Sequence, residues 1–228
     1  MASDRETKEK LLESARKEFA KDGYMKASLR KICANAGVTT GALYFFFQDK
    51  ADLFQSIVQE PYSQLLKMVQ EHFAEDVQLL ARPNAYAQAD GDHEALVHML
   101  IHHLYANREA FLLLLTKSQG TYFEDCIDRL VDLMEQNYRV MAEGMARNMP
   151  GMCVNDYMMH WLTHMNIDAF IHLLTHEPSE ERALYQMQKI MDYLVKGWME
   201  MILIPAEENE CQNLCPVGRI APVYVYYS

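Results

Sequence analysis

Long apolar runs are missing from this 228-residue sequence: nothing approaches the roughly 18 consecutive apolar residues that a membrane-spanning helix requires. The opening MASDRETKEK carries no apolar segment of the kind a secretion signal has, so the expectation is a cytoplasmic protein with no membrane partner. Cysteine is sparse and odd in number, five in all (Cys33, Cys126, Cys153, Cys211, Cys215), which argues against a disulfide framework and for free thiols. Cys211 and Cys215 have no further ligand candidates beside them, so no metal is assigned there. There is no G-x-S-x-G, no Gly-rich phosphate loop and no metal triad. An enzyme needs such chemistry, so none is expected, and no cofactor.

Positive charge is also scarce overall, with a net charge of −11, but it is unevenly spread. Residues 1–50 hold ten Lys/Arg against seven Asp/Glu, a net of +3, leaving 11 basic and 25 acidic residues, a net of −14, for the remainder. A basic head on an acidic body is the asymmetry expected when one end approaches phosphates.

What the sequence has in quantity is helical periodicity, and nothing alternates as a strand before the last dozen residues. A first helix runs from about Asp4 to Lys21, with Leu11, Leu12, Ala15, Phe19 and Ala20 at core spacing, and Gly23 stops it. Ser28 caps a short helix that ends at Gly37, Thr39 caps another reaching about Phe47, and Asp49 caps a long one towards Asp76 with an irregularity at Pro61. The segment RPNAYAQADGD, Arg82 to Asp92, reads as a linker. Helices His93 to Asn107, Glu109 to Lys117, Tyr122 to Asn148, Asn155 to His176 and Ser179 to Ile204 follow. The fold class is therefore all-α: a head over 1–50, a larger helical body over 51–204, and a C-terminal tail over 205–228 to which no role is assigned.

Four consecutive aromatics, Tyr44 to Phe47, stand in the third short helix. At roughly 100° per residue, Leu43 and Phe47 fall about 40° apart with Thr39, while Gly41, Tyr44 and Phe45 fall on the other side and Phe46 at the edge. Leu43 and Phe47 should therefore lock against Phe19, Ile32 and Leu53, leaving Tyr44 and Phe45 outside. Three helices with a Gly-containing turn before the third make a helix-turn-helix, whose last helix enters a major groove. Thr39, Thr40 and Gly41 suit close approach to a sugar-phosphate backbone, and Lys50 adds a cation at the same level. A packed helical hairpin with incidental aromatics is the plainer alternative.

The stretch SLRKICANAGVTTGALYFFFQDKADLF, preceded by Gly23-Tyr24, resembles the DNA-binding signature of the TetR family of bacterial transcriptional regulators over residues 5–55. The resemblance implies a homodimer with a four-helix interface from the last two long helices, a double-stranded DNA operator, and a small-molecule effector bound in the body. Position by position it assigns Ser28 and Thr39 as capping hydroxyls that touch phosphates, Thr40, Gly41 and Tyr44 as the contacting face, and Lys50 as the phosphate-binding lysine. Phe45 and Phe46 depart from it by lacking polar groups usual there, which shifts weight onto Lys26, Arg30 and Lys50.

In the body, His160, His164, Asp168, His172 and His176 fall four apart, a spacing at which neighbours can share a metal, but the row drifts by roughly 40° per step, so no single ion can use them all. Satisfied or interfacial histidines are the plainer reading. Sixteen methionines, among them Met99, Met134, Met141 and Met165, together with Tyr122, Tyr138 and Trp161, make an adaptable apolar lining to which His102, His164 and Asp168 could bring polar tips. That lining suits an apolar or aromatic effector; core filling explains the same residues. The function expected is a ligand-responsive transcriptional regulator, more a repressor than an activator. The alternatives are a metal- or haem-dependent sensor using the body histidines, and a helical interaction module that no longer reads DNA.

Overall fold

The computed structural model describes residues 2–80 and 93–207. In order they form α1 (Ala2–Lys26), α2 (Leu29–Ala36), α3 (Thr40–Phe46), α4 (Lys50–Leu80), α5 (His93–Ala106), α6 (Arg108–Lys117), α7 (Cys126–Arg147), β1 (Met152–Val154), α8 (Asp156–His176), α9 (Glu180–Ile202) and β2 (Leu203–Pro205). No helix among the described residues is long and apolar enough to cross a membrane.

The head forms where its side chains dictate. Leu11, Ala15 and Phe19, one turn apart, are fully buried, and Ser14 Oγ donates to the Ile32 carbonyl at 2.8 Å, tying α1 to α2. Ser28 Oγ accepts from Lys31 N, Thr39 Oγ1 accepts from Ala42 N, and Gly37 closes α2 in the left-handed region at φ 69°, all as the sequence leads one to expect. Asp49 Oδ1 accepts from Asp52 N at 2.8 Å while Asp52 Oδ2 accepts from Gln48 N, a reciprocal cap that starts α4. Gly23 leaves helical geometry at φ 71°, ψ 164°, but helical hydrogen bonding resumes beyond it, so α1 reaches Lys26 rather than ending at Lys21.

α4 is the spine of the molecule. Leu53, Phe54, Ile57, Val58, Tyr62, Leu65, Val69 and Phe73 form its buried stripe, and it passes through Pro61. The Pro61 carbonyl meets His103 Nε2 of α5 at 2.8 Å. In the body α8 packs on α7 and α9, α5 on α9, and α6 lies against both α1 and α4. One large apolar cluster runs from Leu11 and Phe19 through Phe54 and Phe123 to Ile167 and Leu174. Two smaller ones gather around Ala142, Met159 and Ile202, and around Ile101, Leu173 and Met187.

Several expected boundaries are corrected. α7 begins at Cys126 instead of Tyr122, because residues 118–125 form turns around Gly120 at φ 82°. α9 ends at Ile202, where the chain becomes extended. No strand was expected here, yet β1 and β2 pair antiparallel with Cys153 opposite Ile204. The linker expected over Arg82 to Asp92 and most of the tail, 208–228, lie outside the described residues.

Candidate nucleic-acid interface and body sites

Helix α3 carries its aromatics on two faces. Leu43 and Phe47 are buried in the same cluster as Phe19, Ile32 and Leu53, whereas Tyr44 is 56% and Phe45 76% exposed. Phe46 is half-buried and braces Phe45 edge-on, ring centroids 4.9 Å apart. Thr39, Thr40 and Gly41 are exposed at the start of the same helix; Thr39 lies outside, not on the buried side where its wheel position put it, because it is the capping residue and precedes the helical turn. Lys26 and Arg30 are exposed at the end of α1 and the start of α2, and Ser28 is half-buried between them. Gly41 has only Thr39 Oγ1 within 4 Å of where a Cβ would stand, so the main chain is open to close approach.

Lys50 is not placed as a free cation. Its Nζ donates to the carbonyls of Tyr24 (2.9 Å), Met25 (3.2 Å) and Ala27 (3.3 Å) and rests 4.6 Å from the centre of the Tyr24 ring. An ammonium has three donors, and here all three neutralise the negative end of α1. Lys31 is likewise engaged, with Asp22 at 3.2 Å and Glu18 at 3.6 Å. The outward cations of this face are therefore Lys26 and Arg30.

The ten body residues expected to line an effector pocket are not brought together. Tyr122 is 77% exposed, laid against the Arg129 guanidinium at 4.7 Å. Met99 is also exposed, and so are Trp161 and Asp168, which are two turns apart on the outer side of α8. His102 pairs with Glu180 at 2.8 Å. His164 stands edge-on to His160 at 4.6 Å, and His160 is held by Glu135 at 2.8 Å. Met165 borders the cluster around Met159. Met134, Tyr138 and Met141 alone flank the main core together. Composition does not carry which side of each helix a residue occupies, which is a tertiary matter. No group of three His, Cys, Asp or Glu among the described residues is arranged to hold a metal ion.

Three features went unnoticed in the sequence. An open cleft of about 590 Å³ lies between α4 and α7, lined by Gln70, Phe73, Leu133, Gln136, Asn137 and Val140 among others. Behind it Tyr138 stands edge-on to Phe73 at 5.3 Å and tilted to Trp198 at 6.0 Å. Asn166 of α8 is buried, and its Oδ1 has no partner. Its position at core spacing with Met159 and Thr163 was the available signal. Burial pushes the Cys126 thiol up to about 11.

Residues 11–57 match the model of a family described as bacterial regulatory proteins, tetR family. Over 53 residues the chain is 47% identical to the HTH-type transcriptional repressor BepR of Brucella suis biovar 1 (strain 1330), covering 23% of this chain and 25% of that one. Over 67 residues it is 39% identical to the probable acrEF/envCD operon repressor of Escherichia coli (strain K12), 29% of this chain and 30% of that one. The match thus spans less than a third of either relative. A TetR-family transcriptional regulator structure from Syntrophomonas wolfei str. Goettingen superposes with a TM-score of 0.55 at 18% identity, covering 85% of this chain and 96% of that one. A transcriptional regulator from Aquifex aeolicus VF5 does so at 0.52 and 17%, covering 82% and 99%. Residues 11–57 thus carry the signature of the tetR family of bacterial regulatory proteins, and the helical fold along most of the chain is shared with these solved structures.

Proposed function

We propose that this chain is a ligand-responsive transcriptional repressor that binds a pseudo-palindromic DNA operator as a homodimer and leaves it when a small, largely apolar or aromatic effector fills its body. The observation that carries the reading is α3: a short helix held by Leu43 and Phe47 from behind, with Tyr44, Phe45, Thr40 and Gly41 turned to solvent and Lys26 and Arg30 exposed nearby. Aromatic and hydroxyl groups on a helix that fits a major groove, flanked by cations, are what backbone positioning and base contact require. The two relatives are named as repressors, which supports the sign of the regulation.

Two copies are needed to read a two-fold operator. Tyr157 and Trp161 of α8 and Tyr185 and Tyr193 of α9 are all exposed, and pairing these helices with their copies would cover them. Coupling to an effector runs through α4, which carries Lys50 and Phe54 at the head and Phe73 in the body. A ligand that prefers one setting of α4 shifts the population by its differential affinity and no more.

Fluorescence anisotropy with labelled duplexes from the regions flanking its own coding sequence tests this. Binding should weaken by 10³-fold or more between roughly 50 and 200 mM salt if six or more phosphates are contacted. Absence of salt-dependent binding to any duplex would remove the DNA reading.

A further inference from the structure

We propose that the buried carboxamide of Asn166 is the polar anchor of an effector site entered through the α4/α7 cleft, and that the occupant is an apolar or aromatic molecule bearing one hydrogen-bond donor. The proposal deepens the regulator reading and rests on it for what binding would accomplish.

Asn166 is 7% exposed. Its Nδ2 reaches the Tyr138 hydroxyl at 3.5 Å, and its Oδ1 has no partner. The nearest hydroxyl on the same helix face, that of fully buried Thr163, donates to the Met159 carbonyl at 2.8 Å and is therefore spent. A buried amide oxygen without a donor loses its hydration and gains nothing in exchange, and such groups in folded proteins call for a reason. A ligand donor supplies one.

The surroundings fit an apolar guest. Tyr138 is packed between Phe73 and Trp198, with Met141 beside it on α7 at the edge of the core, and thioethers adapt to a guest's shape. Phe73 is shared: its ring contacts Tyr138 on one side and lines the open cleft on the other. From cleft to anchor the path is thus Phe73, Tyr138, Asn166. Turning the first two rings aside would join the anchor to a cleft of about 590 Å³, within the range of small-molecule sites. Because Phe73 belongs to α4, whose first residue is Lys50, a guest that displaces its ring acts on the helix leading to the head.

The test compares 1-naphthol, which has a donor, with 1-methoxynaphthalene, which has only an acceptor, by titration calorimetry on the full chain. Naphthol should bind about tenfold more tightly, the value of one buried hydrogen bond to an otherwise unpaired group. In Asn166→Leu the difference should shrink to under about twofold while binding of the ether persists. Equal affinities in the wild type, tighter binding of the ether, or no naphthol binding would each overturn the proposal, and these comparisons do not depend on the variant folding. The same protein is then offered labelled duplex DNA. If DNA binds and the two probes are treated alike, the anchor falls and the regulator stands; if the probes are distinguished and no duplex binds, the regulator falls and the anchor stands.

Discussion

Lys50 is a cation whose sequence position suggests one partner and whose geometry supplies another. Its ammonium holds three carbonyls from 23 to 26 residues upstream, a pairing that exists only once α1 and α4 are packed, so no local pattern could announce it. Lys50→Ala should therefore lower the stability of the head by about 1–2 kcal/mol, the scale of charge-assisted hydrogen bonds in a partly solvated setting, read as a lower urea midpoint with an unchanged m-value. The salt slope of DNA binding should stay as it was. Arg30→Ala and Lys26→Ala should do the reverse, leaving the midpoint within about 0.5 kcal/mol and reducing the slope by about one each. Tyr44→Ala belongs with them: its side chain is mostly in water, so the melting temperature should hold while DNA affinity falls. An unfolded Tyr44→Ala protein would mean that the face is wrongly assigned. The inward and outward aromatics of α3 were legible because a rotation of about 100° per residue separates them without reference to the rest of the fold. Asn166 was not, since its significance lies in a hydroxyl on α8 that is already spent and a tyrosine on α7.

Among the elements, the caps were the most readable and the turns the least. Ser28, Gly37, Thr39 and Asp49 act within four residues of themselves, whereas β1 and β2 are three residues each and too short for alternation to register. They exist because residues 152–154 and 203–205 are brought together by α8 and α9. The turn before α7 was absorbed into the helix for a similar reason: Phe123 is apolar and at helical spacing, but it is buried against Phe54 and Tyr62 from a non-helical stretch. Gly120 in that turn has φ 82°, and a Cβ there would run into Met25 Sδ of the head. The methionine can swing away; the backbone angle cannot be made comfortable for an L-residue. Gly120→Ala should cost about 1–2 kcal/mol, measured by thermal or urea denaturation, and a neutral result would show that this turn is not held as described.

For the molecule as a whole, charge and surface set the expectations. The body's exposed aromatics on α8 and α9 predict a dimer at micromolar concentration in light scattering; a mass near the single-chain 26.5 kDa would contradict it. Acid should weaken the fold in a defined window. The Ser179 backbone N–H, followed by Arg182, holds the Glu177 carboxyl below its ordinary 4.5, and Lys31 does the same for Asp22 below 3.8. Groups whose acidity is raised by folding contribute stability that is fully present above the unfolded values and is lost as pH falls through the folded ones. The melting temperature should accordingly be flat from neutrality to about pH 5 and decline below about pH 4. A decline beginning near pH 6 would contradict this assignment.

The aromatic ring of Phe54 touches Phe19 and Tyr24 of the head at 5.1 and 5.5 Å and Phe123 of the body at 6.4 Å. Head and body therefore share a single interior, and the boundary that the sequence suggested at residue 50 falls inside it. Anyone wishing to graft this head onto another effector body inherits that joint. A chimera spliced at residue 50 would exchange one half of a fitted ring stack for a stranger's, whereas one that carries Phe54, Tyr62 and Phe123 across with the head keeps the seam intact. The interchangeable part is the head together with its socket.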